Sequence, residues 1–292
     1  MRIGVLGGGS VGLLVARYLS ENHEVTVYVR RNQQKQKLND HGLFLSSHTT
    51  PCKVKALMTN ELKDEECVIV CVKQPDMNSV LPLLSYMNEK TPIIFLQNGM
   101  GHIDLIRDIA QPVYIGIVTH GALRKSDHII THTGKGIIKL ANFSGSEENL
   151  SAIIHRLNNE FFPFQIEKDW QKVLAEKLVI NAVINPLTAI FEVPNGDILR
   201  NTYLMNLAKE LCREACYILQ LDYMDQWNHV QTVANNTKEN VSSMWKDLKS
   251  NRKSENEAIS GYLVKKSNSA VPYTTFVYNS MKALEVKKGI NE

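Results

Sequence analysis

Arg2-Ile3-Gly4-Val5-Leu6-Gly7-Gly8-Gly9-Ser10-Val11-Gly12 is the stretch that decides the fold. Ile3 to Leu6 reads as a short apolar strand, and Leu13 to Leu19 as a helix suited to packing on a sheet. Between them Gly7, Gly9 and Gly12 fit the spacing G-x-G-x-x-G, with Gly8, Ser10 and Val11 filling the turn. A turn at Glu21-Asn22-His23 leads to a second strand, Glu24 to Val29. A glycine pattern alone is weak, but strand before and helix after, inside a βαβ unit of about 30 residues, is the context that confirms it. One glycine makes the tight turn, one lets backbone approach a pyrophosphate, and one lets helix and strand pack closely. The helix N-terminus then offers its N–H groups to the phosphates.

The end of the second strand bears on the cofactor. A site for NAD usually places Asp or Glu there for the ribose hydroxyls. This chain has Val29-Arg30-Arg31-Asn32 and no acid. Two guanidiniums suit a 2′-phosphate, which arginine binds as a fork. The reading is NADP(H), the alternative being a solvated basic pair at a loop.

Further along, Cys67 to Val72 is almost wholly apolar and reads as a buried parallel strand ending at Lys73-Gln74. Ligands of open α/β sheets sit beyond the carboxyl ends of strands, so Lys73 is placed to reach a cofactor, or is a surface lysine. Val80 to Met87 reads as a helix and Pro92 to Leu96 as the next strand, followed by Gln97-Asn98-Gly99-Met100-Gly101. A helix is expected over His102 to Ala110, then a strand from Val113 to Val118 ending in Thr119-His120-Gly121-Ala122. Strand-like runs at His128 to Thr131 and Gly136 to Leu140, a helix from Asn149 to Phe162 and a strand at Phe164 to Ile166 follow.

From Asp169, a plausible N-cap, the pattern turns helical, with helices expected near 170–190, 203–220, 224–250, 255–267 and 273–287. Within the first, Lys177, Asn181 and Asn185 fall at i, i+4 and i+8 and so share one face. The rest of Glu176 to Thr188 is apolar almost all round, as in a buried helix. An ammonium and two carboxamides there are costly unless satisfied. The face is either a polar seam between helices or the lining of a polar cavity. Pro186 predicts a kink or an end, and Asn195-Gly196 a turn. The expected fold class is α/β: an N-terminal Rossmann-type dinucleotide-binding domain, 1–168, followed by an all-α C-terminal domain, 169–292.

With 292 residues the chain is long enough for two domains. Its 33 basic and 30 acidic residues are too balanced for a nucleic-acid partner, and no dense basic block appears. Cys52, Cys67, Cys71, Cys212 and Cys216 are odd in number and read as small buried hydrophobes. His128 and His132 have no cysteine or carboxylate set beside them, so no metal site is expected. Met1 runs straight into the first strand, which predicts no cleavable leader. No apolar segment of the ~18 residues that span a bilayer is read. The expectation is a cytoplasmic protein with no membrane partner, in which the sequons at Asn235 and Asn240 are chance matches.

The chain resembles the ketopantoate reductase (2-dehydropantoate 2-reductase) family along its whole length. The resemblance rests on Gly7–Gly12, Leu96-Gln97-Asn98-Gly99-Met100-Gly101, Lys177-Leu178-Val179-Ile180-Asn181 with Asn185-Pro186-Leu187-Thr188-Ala189, Pro194-Asn195-Gly196, and Glu239-Asn240-Val241-Ser242-Ser243-Met244 followed by Glu255. It implies NADPH-dependent reduction of 2-dehydropantoate to (R)-pantoate, on the route to pantothenate and coenzyme A. It implies Lys177 as general acid, Asn181, Asn185, Asn195 and Ser243 as substrate ligands beside Asn240, and Asn98, Ala122 and Glu255 near the cofactor, Asn98 also bordering the substrate. The residues suit that chemistry. A desolvated lysine donates charge and proton to the alkoxide that hydride transfer develops. Glu255 is expected to pair with Lys177 or accept a bond from cofactor or product, its alternative being a carboxylate at a helix N-terminus. Two other readings stand beside this one: a reductase of another 2-keto acid, and a non-catalytic NADP(H) sensor. A homodimer is compatible with the two-domain plan, with no sequence feature that fixes the state.

Overall fold

The computed structural model describes residues 1–290. The chain forms two compact units, Met1–Gln97 with Leu105–Trp170, and Asn98–Asp104 with the chain from Gln171 onward.

The first unit opens with β1 (Arg2–Leu6), α1 (Ser10–Leu19), β2 (Glu24–Val29), α2 (Asn32–His41), β3 (Phe44–Leu45) and β4 (Lys55–Met58). It continues through β5 (Cys67–Val70), α3 (Met77–Leu84), β6 (Ile93–Phe95), β7 (Val113–Val118), β8 (Gly121–Arg124), β9 (Ile129–Gly134), β10 (Ile138–Asn142), α4 (Glu147–Leu157) and β11 (Phe164–Ile166). An eight-stranded sheet runs in the order β11-β10-β7-β6-β5-β1-β2-β4. Its pairs are parallel except β10 on β7. β1 is central, with β2 on one side and β5 on the other, so the strand order reverses there. A doubly wound sheet binds its ligand at such a switch point, beyond the carboxyl ends of the strands. β3, β9 and β8 make a small second sheet.

β5 is buried at every residue, as its unbroken apolar run requires. Ile3, Val5, Leu13, Val15, Val27 and Ile69 belong to one apolar cluster between sheet and helices. Phe162 is wholly buried in it, stacked on Tyr18 at 4.7 Å and on His120 at 4.3 Å. The Tyr18 hydroxyl lies 2.8 Å from His132 Nδ1, and His132 Nε2 lies 3.0 Å from His120 Nδ1. The Gly136 N–H also donates to His120 Nδ1, at 3.0 Å, so that nitrogen is the acceptor of a neutral ring.

Two helix expectations in this unit need correction. The helix expected over His102 to Ala110 is only a 3₁₀ turn at Asp104–Ile106. Pro112 disfavours helix at the preceding residue, and Gln111 is instead buried, donating to Leu84 O at 3.0 Å and Met87 O at 3.3 Å. The helix expected from Asn149 to Phe162 spans Glu147–Leu157, because Ser146 caps it by accepting from the Asn149 N–H, and Asn158 turns extended. β8 carries no sequence signal of its own.

The second unit is helical: α5 (Trp170–Phe191, its first residue in the first unit), α6 (Asp197–Arg200), α7 (Thr202–Leu219), α8 (Tyr223–Asn236), α9 (Ser243–Lys249), α10 (Tyr262–Lys266) and α11 (Pro272–Lys287). α5 runs through Pro186 to Phe191, so of the kink or end expected at the proline the end does not occur. It stops where Glu192 turns left-handed, at φ 55°, ahead of Pro194. At 22 residues, α5 is by length and composition long and apolar enough to cross a bilayer, contrary to the sequence reading. However, 67% of its most apolar stretch is buried inside the protein, as in a core helix.

The single helix expected over 224–250 is two. Thr237 Oγ1 donates back to Val233 O at 2.7 Å and ends α8. Ser242 Oγ accepts from the Trp245 N–H at 3.2 Å and starts α9. In the gap, Lys238 and Asn240 give their carbonyls to the Gly196 and Asn195 N–H groups at 3.1 and 3.0 Å. The helix expected at 255–267 begins instead as a π-turn, Glu257–Gly261. All five cysteines are free thiols.

Candidate functional site

In the first unit the glycine turn has the three properties its spacing predicts. Gly7 takes φ 116°, and a Cβ there would meet Val72 N at 2.9 Å. A Cβ on Gly12 would lie 1.9 Å from Gly7 O, so helix and turn touch backbone to backbone. A Cβ on Gly9 would meet nothing within 4 Å. The space before Gly9 is open, which suits a group that must approach backbone closely. Gly9 is also the N-cap of α1 and supplies no side-chain cap, so the first N–H groups of the helix are left for a ligand. These features fit a dinucleotide diphosphate.

Two side chains brace this turn from a distance in sequence. Gln34 Nε2 donates to Gly8 O at 2.8 Å and to Asp127 O at 3.1 Å. Arg124 Nη1 donates to Gly8 O at 3.1 Å, and its N–H to Ser10 Oγ at 3.2 Å. Sequence reasoning passed over both, since neither lies near the glycines along the chain. Ala122, half-buried on β8, pairs with His132 on β9. Lys73 is half-buried and begins the 3₁₀ turn Gln74–Asp76 that follows β5.

Arg30 follows β2 directly, its side chain 76% exposed, and Nη1 donates to Asp76 Oδ1 at 2.6 Å. Arg31 is bound differently, in an ion pair with Asp127 at the tip of the β8–β9 hairpin. The two guanidiniums are therefore held in different places, and Arg30 is the more exposed.

In the second unit Lys177, Asn181 and Asn185 lie along one face of α5, as their spacing requires. Asn185 is buried, while Lys177 and Asn181 are half-buried. Desolvation pushes the Lys177 ammonium down to about 8, and the Glu255 carboxylate opposes part of that fall. Glu255 is itself 9% exposed and accepts from Asn98 Nδ2 at 3.0 Å. Asn98 is held in place by Gly99. With φ 75° and only 2.3 Å from a notional Cβ to Ala258 O, Gly99 lets this segment press on the π-turn. The π-turn is fixed in turn. Asn256 Nδ2 donates to Tyr278 O at 3.0 Å, and the Ser254 N–H and hydroxyl both donate to Glu285 Oε1. Such π-turns cluster at functional sites. The sequence showed Glu255 but not this scaffold, which is set by contacts 22 and 31 residues away.

Asn195 is 9% exposed and donates through Nδ2 to Thr237 Oγ1 at 2.9 Å. Its Oδ1 is buried with no hydrogen-bond partner among the described residues. Asn240 is exposed and contributes its carbonyl to the Asn195 N–H. Ser243 is the first residue of α9 and exposed; the buried cap is Ser242, whose Oγ lies 2.8 Å from Thr188 Oγ1. The structure brings Asn98 to Glu255 and Asn195 to the backbone of Asn240.

A doubly wound dinucleotide-binding unit and a helical unit with a desolvated lysine beside a carboxylate together define a nicotinamide-dependent oxidoreductase. Residues 3–145 match the family described as "Ketopantoate reductase PanE/ApbA", and residues 169–285 its C-terminal counterpart. The chain belongs to the ketopantoate reductase family. It is 42% identical over 293 residues to the 2-dehydropantoate 2-reductase of Bacillus subtilis (strain 168), covering 98% of both chains. The crystal structure of a probable 2-dehydropantoate 2-reductase from Bacillus subtilis superposes with a TM-score of 0.87 at 40% identity, covering 97% of this chain and 100% of that one. A D-mandelate dehydrogenase bound to NADH and anilino(oxo)acetate shares the fold, with a TM-score of 0.92 at 21% identity over 99% of this chain and 100% of that one.

Proposed function

We propose that this chain reduces 2-dehydropantoate to (R)-pantoate with NADPH, a step on the route to pantothenate and coenzyme A. The observation that carries the reading is Lys177, brought to about 8 by desolvation on a helix face shared with two carboxamides. A lysine near that value is protonated at neutral pH yet gives its proton up readily. NADPH supplies the hydride when bound. The Gly7–Gly12 turn and the first turn of α1 hold its diphosphate, Arg30 its 2′-phosphate, and Lys73 and Ala122 flank it.

As the 2-keto carbon becomes tetrahedral, its oxygen takes on negative charge, and Lys177 Nζ stabilises and then protonates it. Asn181, Asn185, Asn240 and Ser243 orient the substrate by hydrogen bonds, and Asn195 Oδ1 is a ready acceptor for its hydroxyl. Glu255 keeps Lys177 charged in the resting site, and Asn98 holds Glu255. The functional division is 1–168 for the cofactor and 169–292 for substrate and proton transfer. The protein acts in the cytoplasm, where its thiols stay reduced. A homodimer is compatible with the two-domain plan, and sedimentation of the purified chain tests it.

The test of function is loss of NADPH absorbance with purified protein and 2-dehydropantoate, with NADH and 2-ketoisovalerate in parallel. Fast oxidation only with NADPH and 2-dehydropantoate supports the reading. Faster oxidation with another keto acid keeps the mechanism and moves the substrate. Membership of a reductase family favours an enzyme over a sensor, and a failure to oxidise NADPH with any keto acid, while NADPH still binds, would reverse that preference.

A further inference from the structure

The acid missing from the end of β2 is supplied through space. Asp76 lies 46 residues beyond Arg30 and meets its guanidinium at 2.6 Å. It stands at the N-cap of α3, where an aspartate ordinarily accepts from the helix N–H groups. Here it makes no such bond, and its carboxylate is turned to Arg30 instead. Arg30 is thus engaged by an anion at the position where a 2′-phosphate is to dock.

We infer that Asp76 sets the preference between NADPH and NADH by competing with the 2′-phosphate for Arg30. A 2′-phosphate approaching Arg30 must displace the carboxylate and is repelled by it. NADH carries a hydroxyl there, which needs no displacement and finds in Asp76 the acceptor that β2 lacks. The inference rests on the reading of Arg30 as the 2′-phosphate ligand.

Exposed ion pairs of this kind are worth little individually, so the effect is a shift in preference and not a switch. Asp76→Asn is expected to raise the ratio of NADPH to NADH affinity about two- to fivefold. The competition runs through Arg30, so the gain is expected to vanish in an Arg30→Ala background. Both side chains are solvent-accessible and the variants are expected to keep the parent's melting temperature.

The experiment is fluorescence titration of the full chain with NADPH and with NADH, for the parent, Asp76→Asn, Arg30→Ala and the double variant at one fixed salt concentration. A raised ratio in Asp76→Asn, abolished in the double variant, supports the inference. An unchanged or lowered ratio in Asp76→Asn, with Arg30→Ala still weakening NADPH selectively, overturns it and leaves the reading of Arg30 intact. A gain that persists undiminished without Arg30 also overturns it, since a general field effect then explains the shift. If Arg30→Ala leaves the ratio untouched, the reading of Arg30 itself fails and the inference falls with it.

Discussion

Asn98 Nδ2 donates to Glu255 Oε2 across 3.0 Å, which ties a glycine-rich bend to the carboxylate whose charge holds up the Lys177 ammonium. Removing the amide leaves a buried carboxylate short of a donor, a loss of about 1–3 kcal/mol. Asn98→Ala is therefore expected to lower the unfolding free energy by that amount in a urea titration. Asn98→Asp, which sets a second carboxylate beside Glu255, is expected to cost more. Equal stability of all three proteins would refute the anchoring role.

The ionisation of Lys177 gives a pH signature. A general acid must be protonated, so the rate of keto-acid reduction is expected to fall as pH rises through about 8. The reverse oxidation needs the free amine and is expected to rise over the same range. Glu255→Gln removes the charge that holds the ammonium up and moves both midpoints lower. Lys177→Ala is expected to cut turnover by about 10²- to 10⁴-fold with little change in NADPH affinity. Initial rates between pH 6 and 10 decide it.

Two glycines of the turn, Gly9 and Gly12, are expected to fail in different ways. Gly9 has φ −80°, open to any residue, and free space beyond its Cα. Gly9→Ala is expected to keep the melting temperature and weaken NADPH binding about tenfold, a loss near 1.4 kcal/mol. Gly12→Ala drives a methyl into Gly7 O and is expected to lower stability itself. Calorimetry with and without NADPH separates the two, and a destabilised Gly9→Ala would contradict the open geometry.

Acid sensitivity is expected from two buried histidines. His102 is fully buried, and burial holds it down to about 4; His120 is held near the same value, by burial first and His132 second. Unfolded histidines bind protons from about pH 6.5 downward, so between pH 6.5 and 4 the unfolded chain binds more protons than the folded one. Stability present above pH 6.5 is therefore lost as pH falls, by up to about 3 kcal/mol for His102. His102→Leu is expected to flatten that slope in urea midpoints taken at pH 7, 5.5 and 4.5. A slope identical to the parent's would dismiss the assignment.

The sheet was legible because its signals are local. Unbroken apolar runs such as Cys67–Val70 and a glycine spacing between strand and helix carry their meaning within about 30 residues. The face of α5 was legible for the same reason, since i, i+4 spacing is a property of one helix. What escaped is held by distant partners. The break between α8 and α9 contains no glycine or proline, and the carbonyls of Lys238 and Asn240 within it are held by the N–H groups of Gly196 and Asn195, more than 40 residues back in the chain. The π-turn beside Glu255 answers to Tyr278 and Glu285. Neither the Asp76 partner of Arg30 nor the Arg124 brace on Gly8 leaves a mark in the residues next to it.

The apolar character of α5 also bears on how the protein is made. A ribosome adding about 5–20 residues per second needs several more seconds after Phe191 to deliver the rest of the helical unit. For part of that interval a 22-residue apolar helix has emerged before the unit that buries it is complete. A chaperone that shields apolar segments is expected to find a client there. Chains truncated shortly after residue 200 are expected to pellet on centrifugation, and full-length chains to stay in the supernatant.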